Sequence, residues 1–127
     1  MVFAVALLAL TLVGAYLMIT QNSRLLLSAR DHYVATTLCL ARIERARNVE
    51  YTLLPLLAEG APGIRVNQDG APDANGNFRR QTLVTTDSPD TGATTIDVVV
   101  SIINRRSGTF GTEQETMSCV YTSYIVL

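Results

Sequence analysis

The chain has 127 residues, which is enough for one domain of ordinary size and too few for two domains with separate cores. Ten basic and eleven acidic residues give a formal net charge of -1, which argues against the broad positive field of a nucleic-acid-binding protein. Two cysteines exclude a multi-disulfide scaffold and a four-cysteine zinc site, and leave one possible disulfide. Charged residues begin only at Arg24, so an uncharged segment precedes a charged remainder.

Residues 1–19 form an unbroken apolar run, in which Thr11 and the Tyr16 hydroxyl are the only polar side-chain groups. A helix of this length extends about 28 Å, close to the thickness of a bilayer core. We therefore predict that residues 1–23 form a helix buried in a membrane or among other helices. A signal peptide is one alternative, but a basic n-region is absent and a cleavage site is not clear. A buried helix of a soluble protein is another, although so small a domain could hardly surround it.

The next segment predicts that the helix continues to about Leu57, because residues 20–57 contain no glycine and one proline, Pro55. Over residues 24–57, apolar residues recur at spacings of three, four or their sums, which predicts an amphipathic half that covers another element. This stripe consists of Leu25, Ala35, Cys39, Ile43, Ala46 and Leu53.

Residues 58–77 are rich in glycine, proline, aspartate and asparagine, which predicts an irregular connection with turns. Three runs with strand composition follow, at residues 78–86, 94–103 and 115–126. Their short links favour an antiparallel meander. Alternation places two sets of residues on one face each: Ile96, Val98, Val100 and Ile102 in the second strand, and Met117, Cys119, Tyr121 and Ile125 in the third.

These elements predict an α+β fold, in which a long N-terminal helix, apolar and then amphipathic, packs on a small antiparallel sheet of three to four strands. The apolar helix takes residues 1–23 and the globular domain residues 24–127, with the sheet in residues 78–127. The helix stripe and the apolar strand faces are the surfaces expected to meet.

Cys39 lies on the helix stripe and Cys119 on the apolar face of the last strand, so we predict that they form a disulfide. Such a bond would close a loop of about 80 residues and stabilise the domain by ~4 kcal/mol. The prediction requires that the globular part is exported, and the alternative is two buried free thiols.

No pattern in the sequence indicates catalysis, so we expect neither enzymatic activity nor a cofactor. His32 is the only histidine and is interpreted as a surface or packing residue. Asp73, Asn75 and Asn77 are similar to the alternating oxygen ligands of a calcium loop, but the positions that should hold glycine and glutamate hold Phe78 and Val84. A turn is the favoured interpretation, and a weak calcium site is the alternative.

The order of these elements resembles the type IV pilin superfamily. Residues 1–18 are similar to the segment that follows the FTLIE or FTLVE start of pilins and pseudopilins. LCLARIERARN (38–48) resembles the Leu-Ala-x-x-x-Glu-x-x-Arg stretch of minor pseudopilins and PilV-like minor pilins, and FRRQTLVTT followed by IDVVVSI resembles their sheet. The glycine, phenylalanine and glutamate of the family start are absent from Met1 onward, so prepilin cleavage and N-methylation are assigned to no residue.

The resemblance implies a structural subunit of a type IV pilus-type filament, anchored in the inner membrane before assembly and packed with other pilin-like subunits afterwards. Its C-terminal domain would then be exported into an extracellular or periplasmic filament. A type II secretion minor pseudopilin is one alternative, and a non-polymerising bitopic membrane protein with a partner-binding domain is another. The helix-packing candidates are Ala4, Ala6, Ala9, Gly14 and Ala15, which would allow close approach of helices.

The orientation in the membrane has two conflicting indications. Arg24 and Arg30 follow the apolar run, and by themselves they favour a cytoplasmic location for that flank. The predicted disulfide favours export. A basic leader upstream of Met1 would resolve the conflict in favour of export.

Overall fold

The computed structural model describes residues 2–123 and consists of one long helix, a short 3-10 helix and four strands. Helix α1 covers Val2–Arg47, the 3-10 helix Tyr51–Leu57, β1 Ile64–Val66, β2 Phe78–Thr86, β3 Ala93–Ile103 and β4 Phe110–Thr122. The chain divides into two compact units, Met1–Asp31 and His32–Leu127. Ile125, predicted on the apolar face of the last strand, lies outside the described residues.

Helix α1 ends at Arg47, so the expectation of a helix to Leu57 is wrong in its last part. The final turn tightens, because the amide nitrogens of Asn48 and Val49 donate to Arg45 O and Ala46 O, each at 3.2 Å. Pro55 then lies inside the 3-10 helix, where its ring would clash with the carbonyl of a preceding α-helical turn. The chain therefore leaves α-helical geometry before the glycine-rich segment begins.

The sheet is an antiparallel meander with strand order β1-β2-β3-β4. The predicted α+β fold is confirmed, with four strands. Strand β1 has three residues and lies inside the segment expected to be irregular. Strand β4 begins at Phe110, earlier than predicted. A register shift between Ile102 and Ile103 separates the pair Ile102–Glu113 from the pair Ile103–Phe110.

The core lies between the C-terminal half of α1 and one face of the sheet. Ala35, Cys39, Ile43 and Ala46 are buried as predicted. Leu25 and Leu53 are exposed, contrary to the prediction, and Leu38 is buried in addition. The sheet contributes the predicted face of β3, where Ile96, Val98, Val100 and Ile102 are each at most 3% exposed. Leu54, Val66 and Phe78 complete the cluster.

Gly76 packs against the backbone of β1. A Cβ atom at this position would lie 2.2 Å from Val66 O, a contact that only a backbone shift could relieve. Gly76→Ala should therefore lower the free energy of unfolding by about 3 kcal/mol, measured by urea denaturation of the full chain in detergent. Gly60→Ala is the control, since a Cβ there meets nothing within 4 Å. Equal denaturation midpoints for the two variants would contradict the expected crowding.

Candidate functional site

The first half of α1 is apolar and exposed. The helix contains one stretch long and apolar enough to span a membrane, and none of that stretch is buried against the rest of the protein. Thr11 Oγ1 donates to Leu8 O at 2.8 Å, so its hydroxyl is satisfied within the helix. A surface with so little polar character needs lipid or other apolar helices around it, because water solvates it poorly.

The helix-packing candidates lie on this exposed segment. Helix α1 is continuous through Gly14, and a Cβ at that position would meet nothing within 4 Å. The space is therefore available to a neighbouring helix, as close packing requires. The other candidates are also exposed: Ala4, Ala6, Ala9 and Ala15.

A buried ionic cluster connects three elements of the His32–Leu127 unit. The Glu59 carboxylate, whose side chain is 6% exposed, lies at its centre. Arg80 donates from Nη2 to Glu59 Oε1 at 2.7 Å and from Nε to both carboxylate oxygens. Arg42 Nη2 lies 3.2 Å from Oε1, and Thr82 Oγ1 donates to Oε2 at 2.9 Å. The cluster thus joins α1, the connection that follows the 3-10 helix, and β2.

Both arginines also bind the surrounding backbone. Arg42 Nη2 donates to Leu57 O at 2.8 Å, and Arg80 Nη1 donates to Gly70 O at 3.3 Å. The cluster therefore holds the start and the middle of the glycine-rich connection against the sheet. Sequence reasoning missed it, although the alternation of Phe78, Arg80 and Thr82 in β2 does place the arginine on the core face.

The charges in this cluster shift two pKa values. Burial alone raises the pKa of Glu59, but hydrogen bonds from Arg80 and Thr82 and the two guanidinium charges outweigh burial and lower it below its ordinary value. Burial lowers the pKa of Arg42, and the Glu59 charge opposes that change. One carboxylate thus shares its charge between two buried cations, which gives the cluster a structural role.

His32 connects α1 to β4. Its Nδ1 lies 2.7 Å from Glu115 Oε1, and its Nε2 lies 3.5 Å from Glu113 Oε2. An ionised carboxylate only accepts, so Nδ1 is the donor to Glu115. All three side chains are part-exposed. The histidine therefore makes a specific cross-element contact, in a position where sequence reasoning expected a surface or packing residue.

The predicted disulfide is absent, and Cys39 and Cys119 are free thiols. Cys39 Sγ lies 3.7 Å from both Val98 O and Glu115 O, so it is level with Glu115 on β4. Cys119 is four residues further along that strand, roughly 13 Å at the usual rise per residue. A disulfide needs Cα atoms closer than about 7 Å. The two cysteines share the core face, as predicted, but at different levels.

The two thiols should differ in reactivity. Burial, followed by the charge of Glu115, raises the pKa of Cys39 to about 11, so its reactive thiolate is scarce at neutral pH. In the folded chain at pH 8, we expect iodoacetamide to modify the part-exposed Cys119 first and Cys39 only after unfolding. Mass spectrometry of the digested, time-sampled protein measures both rates. Equal rates in native buffer would contradict the burial of Cys39.

The candidate calcium ligands form a turn. Asp73 Oδ1 accepts a hydrogen bond from the Asn75 backbone at 2.8 Å, and Asp73 O accepts one from Gly76 at 3.0 Å. Asn77 contributes its carbonyl to Ile103 N at 2.9 Å. Within residues 2–123, no group of three or more His, Cys, Asp or Glu side chains could hold a metal ion. The turn interpretation accounts for the contacts of this segment.

Comparisons with known proteins give no relative for this chain. No protein-family profile, curated protein or solved structure matches it.

Proposed function

We propose that this chain is a structural, non-enzymatic subunit of a type IV pilus-type filament. One observation carries the proposal: a helix that is apolar and exposed in its first half and packs on an antiparallel meander in its second half. The first half can be buried in lipid before assembly and among like helices afterwards. The small residues along it, including Gly14, would allow these helices to approach closely.

In this function, the chain begins in the inner membrane with its C-terminal domain exported and then enters an extracellular or periplasmic filament. Its partners are other pilin-like subunits, in a homopolymer or a heteropolymer. Contacts of a heterologous kind, in which different surfaces of two subunits meet, would generate an open helical assembly. The resemblance of residues 38–48 to minor pilins and pseudopilins supports a subunit of this superfamily.

The experiment compares filaments from cells with the gene, without it, and without it but complemented. Surface material is sheared, examined by negative-stain microscopy and labelled with an antibody against the His32–Leu127 unit. We expect labelled filaments only where the gene is present, or a secretion defect where it is absent. Unlabelled, unchanged filaments and unchanged secretion, with the chain retained in the membrane, would overturn the proposal and favour a bitopic protein that does not polymerise.

A further inference from the structure

Two arginines stack on one phenylalanine on the sheet face opposite the core. Arg65 and Arg79 are register partners on β1 and β2. Their Cζ atoms lie 5.2 Å and 4.8 Å from the centroid of the Phe110 ring. Stacking on an aromatic face stabilises and orders a guanidinium. Two cations are thus held next to each other in a defined arrangement.

This arrangement brings two like charges together on one face of the sheet. Within residues 2–123, Arg65 and Arg79 form no ion pair with any acidic side chain, whereas Arg80 on the other face pairs with Glu59. Like charges directly opposite each other in a sheet repel. The pair therefore has an unfavourable interaction that a bound anion would relieve.

Both guanidinium groups keep donors available. Arg65 directs Nε and Nη2 to Gly76 O, at 3.1 Å and 2.9 Å, which fixes its orientation. In the described part of the chain, its Nη1 makes no hydrogen bond, and neither does any side-chain nitrogen of Arg79. Both residues are part-exposed, so a ligand can reach these donors from solvent. A fixed guanidinium suits the geometry of carboxylate and phosphate oxygens.

We propose that Arg65 and Arg79, held on Phe110, form a binding site for an oxyanion, either a carboxylate or a phosphate group. The ligand accepts hydrogen bonds from Arg79 and from Nη1 of Arg65, and its charge offsets the repulsion between the two cations. The site lies wholly within the His32–Leu127 unit and does not depend on filament formation.

The experiment is an NMR titration of the full chain in neutral detergent, which follows the arginine Nε–Hε signals. The probes are inorganic phosphate and malonate, each added at constant ionic strength. We expect saturable shifts at Arg65 and Arg79. Arg79→Gln should weaken binding about tenfold or more, because it removes a charge-assisted donor set. Tighter binding of phosphate would identify a phosphate group as the natural ligand, and tighter binding of malonate a carboxylate.

Three further variants test the site. Arg45→Gln removes one exposed positive charge from the same unit and should change affinity less than twofold. Arg79→Lys keeps the charge but not the planar fork, and should bind several-fold more weakly than wild type. Phe110→Leu keeps both charges without the ring and should also bind more weakly. Core amide signals establish that each variant is folded. Non-saturable shifts in the wild type, or equal affinity in the wild type and Arg79→Gln, would overturn the proposal.

Discussion

Glu59→Gln should lower the free energy of unfolding by about 3–5 kcal/mol, because it leaves two buried guanidinium groups without a counter-charge. The side chains of Arg42 and Arg80 are 10% and 12% exposed, so water cannot replace the lost carboxylate. The substitution keeps the size of the side chain, removes its charge and replaces one of its two accepting oxygens with a donating NH2 group. Urea denaturation of the full chain in detergent measures the loss.

Glu50→Gln is the matched control. Glu50 precedes the 3-10 helix, is exposed and makes no side-chain cap hydrogen bond there. We expect Glu50→Gln to change the free energy of unfolding by less than about 0.5 kcal/mol. If both variants unfolded at the same urea concentration, the cluster would contribute no more than an ordinary surface charge.

The same cluster gives the stability a defined dependence on pH. Because the folded state lowers the pKa of Glu59 below its ordinary value, the native state holds this group deprotonated more strongly than the unfolded state does. The Glu59 charge therefore contributes fully to the free energy of unfolding at pH values above its ordinary pKa. That contribution is lost as the pH falls through the lower pKa of the folded state. The difference in stability between the wild type and Glu59→Gln should shrink over this acidic range.

Leu10→Arg should abolish stable membrane anchoring. Leu10 lies in the middle of the apolar segment and is 75% exposed, so the described residues around it would not shield a charge placed there. An arginine at the centre of a spanning helix costs about 2.5–3.5 kcal/mol on insertion scales. The measurement is the fraction of the protein that stays with membranes after alkaline carbonate extraction.

Leu56→Arg is the control for this experiment. Leu56 is 79% exposed and lies in the 3-10 helix of the His32–Leu127 unit. The same new charge there should leave extraction unchanged. Equal release of the two variants would show that the apolar segment does not anchor the chain, and retention of both would contradict the expected effect of the charge at position 10.

Elements with a strong local pattern were predictable from the sequence. The burial of Ala35, Cys39, Ile43 and Ala46 follows from helical spacing, and the buried face of β3 from strict alternation. Strand β1 was missed because three residues are too few to show a period. The end of α1 was placed too late, because the composition of residues 48–57 favours a helix while Pro55 opposes it locally.

The long-range contacts could not be predicted in the same way. The ion pairs of Glu59 depend on residues from three separate elements, and no spacing in the sequence links them. The cysteines show the limit clearly. Helical and strand periods assign Cys39 and Cys119 to the same interior, but the relative level of α1 and β4 depends on how the helix slides along the sheet. Periodicity carries no information about that displacement.

The connectivity of the meander also determines when the core can close during synthesis. Each strand pairs with its neighbour in sequence, so the hairpins need only short loops to close. Docking of α1 on β4 is different, since the Tyr121 hydroxyl donates to Ile43 O across 78 residues at 2.9 Å. Chains grow from the N-terminus, so synthesis must pass Tyr121 before this contact can form. Until then, strand β4 cannot cover the core stripe of α1, so this part of the core closes last.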